Sequence, residues 1–68
     1  MPKLTLRAAR VNSGLTQAQA AKEIGVKDCT LLNWEKGRTF PNIEQIDKIC
    51  KLYKVRYDDI IFLPNNPL

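Results

Sequence analysis

The apolar positions of this chain recur at helical spacing in short bursts, each closed by a glycine or a proline. Leu6 and Ala9 share a face with Arg10 and Ser13. Thr5 is placed to cap that segment, and Gly14 suits the left-handed position after its end. Thr16 and Gln19 form a capping box: the hydroxyl accepts from an orphan amide while the glutamine reaches back to the N–H of the cap. This predicts a second helix, about Gln17 to Ile24, that buries Ala20, Ala21 and Ile24. Leu15 packs inward ahead of it and Gly25 stops it. A third helix starts near Lys27 or Asp28 and runs to Lys36, with Leu31 and Trp34 inward and Gly37 ending it.

Arg38-Thr39-Phe40-Pro41 reads as a loop, and Asn42 with Gln45 repeats the cap signature. A fourth helix follows, about Ile43 to Tyr53, with Ile43, Ile46, Ile49, Cys50 and Tyr53 at helical spacing and Cys50 on the inner face. A fifth, about Tyr57 to Phe62, has Asp58 and Asp59 in its first turn, where the helix dipole favours acids. Pro64 to Pro67 cannot continue regular structure. The expectation is an all-α, five-helix domain over residues 1–63, then a tail over 64–68.

Composition narrows what such a domain does. With 68 residues there is room for one small core, burying about 60% of the unfolded chain's surface. The net charge is +4, and it is unevenly placed. Residues 1–40 hold seven basic and three acidic side chains, whereas residues 41–68 hold four of each. The excess on the first half points to an anionic partner, most often nucleic acid. There is no histidine, so no histidine-based triad or imidazole metal site exists. Two cysteines, Cys29 and Cys50, cannot close a structural zinc site, and the three glycines form no phosphate loop. No enzyme activity, catalytic residue, cofactor or metal is implied. No secretory segment precedes the first helix, so a reducing cytoplasm with free thiols is expected. The longest apolar run, Ile60 to Leu63, is far short of the roughly 18 residues of a membrane span.

Residues 17–36 are two short helices joined by a tight turn. Ala21 supplies the small contact residue and Gly25 the turn that a steep helix crossing needs. In this helix-turn-helix arrangement the second helix enters the DNA major groove. The run Thr16-Gln17-Ala18-Gln19-Ala20-Ala21-Lys22-Glu23-Ile24-Gly25-Val26, then Asn33-Trp34-Glu35-Lys36-Gly37 and Pro41-Asn42, resembles the phage Cro and repressor helix-turn-helix family, the Xre-like group. The resemblance covers residues 4–62 and implies a lambda-repressor-like fold. It also implies a structural ion pair between Arg10 and Glu35. The chain departs from the family at Lys27, where the family keeps a Ser or Thr cap, and near Arg56, where it prefers the same. Lysine cannot cap, so either Asp28 takes that role or the helix start shifts by one residue.

The candidate base-reading residues are Lys27, Asp28, Thr30, Leu32 and Asn33. Asn33 suits adenine, Thr30 or Leu32 a thymine methyl, Lys27 guanine or a phosphate, and Asp28 a cytosine amino group. Gln17, Lys36, Arg38 and Thr39 are the candidate phosphate contacts. Cys29, near a helix N-terminus and Lys27, has the setting of a reactive thiol, but a small residue close to DNA is the preferred reading. Ile60, Ile61, Phe62 and Leu63 are more apolar than a terminus needs and are the candidate dimer contact. Together these residues and the resemblance imply a sequence-specific double-stranded-DNA-binding regulator, similar to a Cro-like phage or prophage repressor, that pairs as a homodimer on a palindromic operator. No membrane and no small-molecule ligand is implied. An antitoxin, or a protein-interaction module on the same fold, is the alternative.

Overall fold

Side-chain caps set where most of the helices begin. The computed structural model describes residues 4–62. The chain opens with a two-residue strand, β1 (Leu4–Thr5), followed by α1 (Leu6–Asn12), α2 (Gln17–Ile24), α3 (Asp28–Glu35) and α4 (Ile43–Tyr53). The Thr5 hydroxyl accepts from the Ala8 amide at 3.1 Å. Both capping boxes close: Gln19 donates to Thr16 at 3.1 Å and Thr16 to Gln19 at 2.9 Å, while Asn42 and Gln45 exchange bonds of 2.8 Å. Only α3 starts without a side-chain cap; Lys27 holds the cap position and Asp28 is the first helical residue. Asp28 therefore does not act as the cap.

Left-handed residues hold the C-cap position itself in two of the helices. Gly25, at φ 92°, turns the chain out of α2, and its amide and that of Val26 both bond the Ala21 carbonyl. Lys54 does the same for α4 at φ 57°, a conformation that a lysine adopts at a cost.

The predicted fifth helix does not form. Tyr57–Asp59 make a single 3₁₀ turn, and Ile60–Ile61 are then extended as β2. Strand β2 pairs in parallel with β1, Leu4 beside Ile60 and Thr5 beside Ile61. Arg56 at the cap position makes no side-chain bond to hold a helix start. Two consecutive β-branched residues favour the extended form once a free backbone edge is available. Among the described residues the fold is thus four α-helices with a two-stranded clasp.

The core gathers Leu6 and Ala9 from α1, Ala20, Ala21 and Ile24 from α2, Leu31 and Trp34 from α3, Ile49 and Tyr53 from α4, and Ile60 from β2. The inner face of α4 is narrower than its apolar spacing predicts. Ile49 and Tyr53 are buried, Ile46 and Cys50 are half-buried, and Ile43 is 85% exposed. The core covers one side of α4 and leaves the rest of the apolar stripe outside.

Candidate nucleic-acid interface

The α2–α3 unit is built so that α3 shows one side to solvent. Ala20 and Ala21 are fully buried, so the backbone of α2 lies close to its neighbours. Leu31, Trp34 and Glu35 point inward from α3. The opposite side carries Cys29, Asn33 and Lys36 at i, i+4 and i+7 spacing, with Leu32 beside them. Lys27, Asp28, Cys29 and Lys36 are exposed, and Thr30, Leu32 and Asn33 are half-buried. The α3–α4 loop folds back onto this helix. The Asn33 carbonyl accepts from the Arg38 amide at 2.9 Å and from the Thr39 amide at 3.5 Å.

A buried ionic cluster ties α1, α2 and α3 together. Arg10 Nε donates to Glu35 Oε2 at 2.7 Å and its Nη2 to Oε1 at 3.4 Å. The third branch of the guanidinium donates to the Leu15 carbonyl at 2.9 Å. Gln17 Nε2 donates to Glu35 Oε1 at 3.2 Å. The paired side chains are 10% and 4% exposed, so both charges are desolvated and rely on each other. Tyr53 approaches the same cluster. Burial pushes its phenol up to about 12, the Glu35 carboxylate adds to the rise, and Arg10 opposes it. Its hydroxyl has no hydrogen-bond partner among the described residues.

Beside the cluster lies a cleft of about 590 Å³ lined by Thr5, Arg7, Arg10, Gln17, Leu32, Glu35 and Lys36. The charged side chains of Arg7 and Lys36 line it, next to the outward face of α3. Among the described residues no group of metal-ligating side chains is present and no helix is long and apolar enough to cross a membrane.

The helix-turn-helix family profile matches residues 6–60. The chain belongs to the helix-turn-helix family of phage Cro and repressor type. It is 36% identical over 56 residues to the cryptic phage CTXphi transcriptional repressor RstR of Vibrio cholerae, covering 82% of this chain and 50% of that one. It is 36% identical over 58 residues to the HTH-type transcriptional regulator MJ0272 of Methanocaldococcus jannaschii, covering 85% and 88%. The HTH-type transcriptional activator BcrR of Enterococcus faecalis is 32% identical over 56 residues, which span 82% of this chain but 28% of the activator.

Within this helix-turn-helix protein, the residues singled out from sequence divide by position. Lys27, Asp28, Thr30, Leu32 and Asn33 lie on α3 or at its start, and Lys36, Arg38 and Thr39 at its end. Gln17 is the first residue of α2, and its side chain is held by Glu35. At the C-terminal end, Ile60 is 7% exposed and belongs to the core through β2, Ile61 is exposed, and Phe62 is half-buried. Leu63 lies outside the described residues. Cys29, expected close to DNA, shares the outward stripe with Asn33, a relation legible in their i, i+4 spacing. Sequence reasoning passed over one residue. Arg7 lines the cleft opposite Lys36, a placement that only the packing of α1 against α3 reveals.

Proposed function

We propose that this regulator is a Cro-like phage or prophage repressor that binds double-stranded DNA sequence-specifically, as a homodimer on a palindromic operator. The observation that carries the reading is the division of α3: one side is locked into the core, and the other is solvent-facing and framed by Lys27, Lys36 and Arg38. In this reading Cys29, Asn33 and Leu32 meet base edges in the major groove, with Lys27, Asp28 and Thr30 at the near end of the helix. Gln17, Arg7, Lys36, Arg38 and Thr39 hold phosphate and fix the depth and angle of α3. One short helix reads few bases, so two copies on half-sites about one turn (~10 bp) apart supply the specificity. The likeness to a phage repressor supports repression by occlusion of polymerase.

Selection of bound duplexes from a random pool tests this directly. The expected product is an inverted repeat with half-sites one helical turn apart. Two copies that each neutralise phosphates with Arg7, Lys36 and Arg38 imply a slope of log affinity on log salt of about −5. Asn33→Ala should lose discrimination at one position of the repeat, by about 1–3 kcal/mol. A uniform loss across all duplexes, or binding that ignores salt, contradicts the reading.

A further inference from the structure

The apolar stripe of α4 continues past what the core covers, and the neighbouring segments add to it. Ile43, Ile46, Cys50, Val55 and the Tyr57 ring wall a groove of about 460 Å³. A second groove of about 220 Å³ shares Ile46 and Tyr57 and extends the surface to Phe40, Pro41 and Phe62. Phe40 is 54% and Tyr57 58% exposed, beside the almost fully exposed Ile43. Single apolar residues on a surface are ordinary, but a contiguous patch with aromatic walls marks a contact site. Asp47 and Arg56, of opposite sign, line the same groove.

We propose that this groove receives a second copy of the chain in a two-fold symmetric contact. In such a contact residue i of one copy meets residue j of the other, and j meets i. A surface that carries one acid and one base among apolar side chains is self-complementary under that operation: Asp47 faces the partner's Arg56, and Arg56 the partner's Asp47. Arg56 forms no ion pair among the described residues, and Asp47 is shared only with Lys51 across an exposed bridge of 3.0 Å that is worth little. Phe40 and Ile43 follow the Arg38–Thr39 loop in sequence, so pairing here fixes the spacing of the two α3 helices. The inference rests on the dimeric reading above and names its surface. It moves the pairing away from Ile60, which the clasp buries.

Sedimentation of the full chain from about 1 μM to about 1 mM measures the association. Ile43→Glu tests the apolar part. The site is exposed and begins α4, where an acid suits the dipole, so folding is retained and Trp34 fluorescence verifies it. The dimer dissociation constant should rise at least about tenfold. Asp47→Arg and Arg56→Asp should each weaken pairing, and the double reversal should restore most of it. A dimer indifferent to Ile43→Glu and to both reversals places the contact elsewhere and overturns this inference while the dimeric reading stands. A chain that stays monomeric throughout also overturns it, leaving the groove to a different protein. If that chain further occupies a selected duplex one copy per site, the dimeric reading falls too.

Discussion

Replacing Glu35 with alanine strips the buried Arg10 guanidinium of its counter-ion and leaves Gln17 without its acceptor. The remaining charge is almost enclosed and keeps one neutral partner, the Leu15 carbonyl. Removing one member of a buried pair costs about 3–5 kcal/mol, because an unpaired charge stays in a poorly solvating site. Total stability at roughly 0.05–0.15 kcal/mol per residue is about 3–10 kcal/mol for this chain. Glu35→Ala should therefore remove a third or more of the stability and can leave the chain largely unfolded. The double replacement Arg10→Met with Glu35→Leu removes the desolvation cost along with the attraction. It should return stability to within about 1 kcal/mol of the parent, or exceed it. The single tryptophan, Trp34, is buried beside the cluster, so its fluorescence in urea reports both variants. The double variant should still bind DNA poorly, since Gln17 is no longer held at the start of α2. A Glu35→Ala chain that loses less than about 1 kcal/mol, or a double variant as unstable as the single one, refutes the reasoning.

Three further outcomes are expected. Lys54→Gly removes the left-handed strain at the end of α4, about 1–2 kcal/mol, against about 0.5–1 kcal/mol of added chain entropy, so urea midpoints should rise modestly. Tyr53, pushed up to about 12, is protonated in the fold and ionises more readily once unfolded. Its neutral form is kept at no cost below pH 10, and stability falls as pH rises from 10 toward 12; Tyr53→Phe should flatten that alkaline limb of the melting profile. Burial and the nearby Asp47 carboxylate push the Cys50 thiol up, whereas Cys29 is exposed on the outward stripe of α3. A limited dose of maleimide should modify Cys29 first and abolish duplex binding without unfolding the chain; retained binding after complete Cys29 labelling counts against the assignment of that face.

What the sequence made legible was local. The caps at Thr5, Thr16 and Asn42 involve partners three residues away, and Gly25 marks a turn that needs a positive φ. The helix-turn-helix residues of α2 and α3 follow from those signals, and the ion pair of Arg10 with Glu35 from the family resemblance. What stayed hidden depends on distant neighbours. Ile60-Ile61 reads as a helix end until Leu4–Thr5 arrives beside it. Helical spacing puts Ile43, Ile46 and Ile49 along one apolar stripe, but does not say how much of that stripe a neighbour covers. Lys54 carries no local sign of its left-handed turn, and Arg7 joins the cleft only through the packing of α1 on α3.

The strand clasp has a topological consequence. Because Leu4 lies alongside Ile60, the two ends of the described residues meet at one edge, like a ring with a single clip. Joining those ends with a short linker and reopening the chain at the exposed Gly14 turn should yield a circular permutant with the same helix-turn-helix. Because the two strands run parallel, proteins fused before Leu4 and after Ile61 would leave that edge in opposite directions along the clasp.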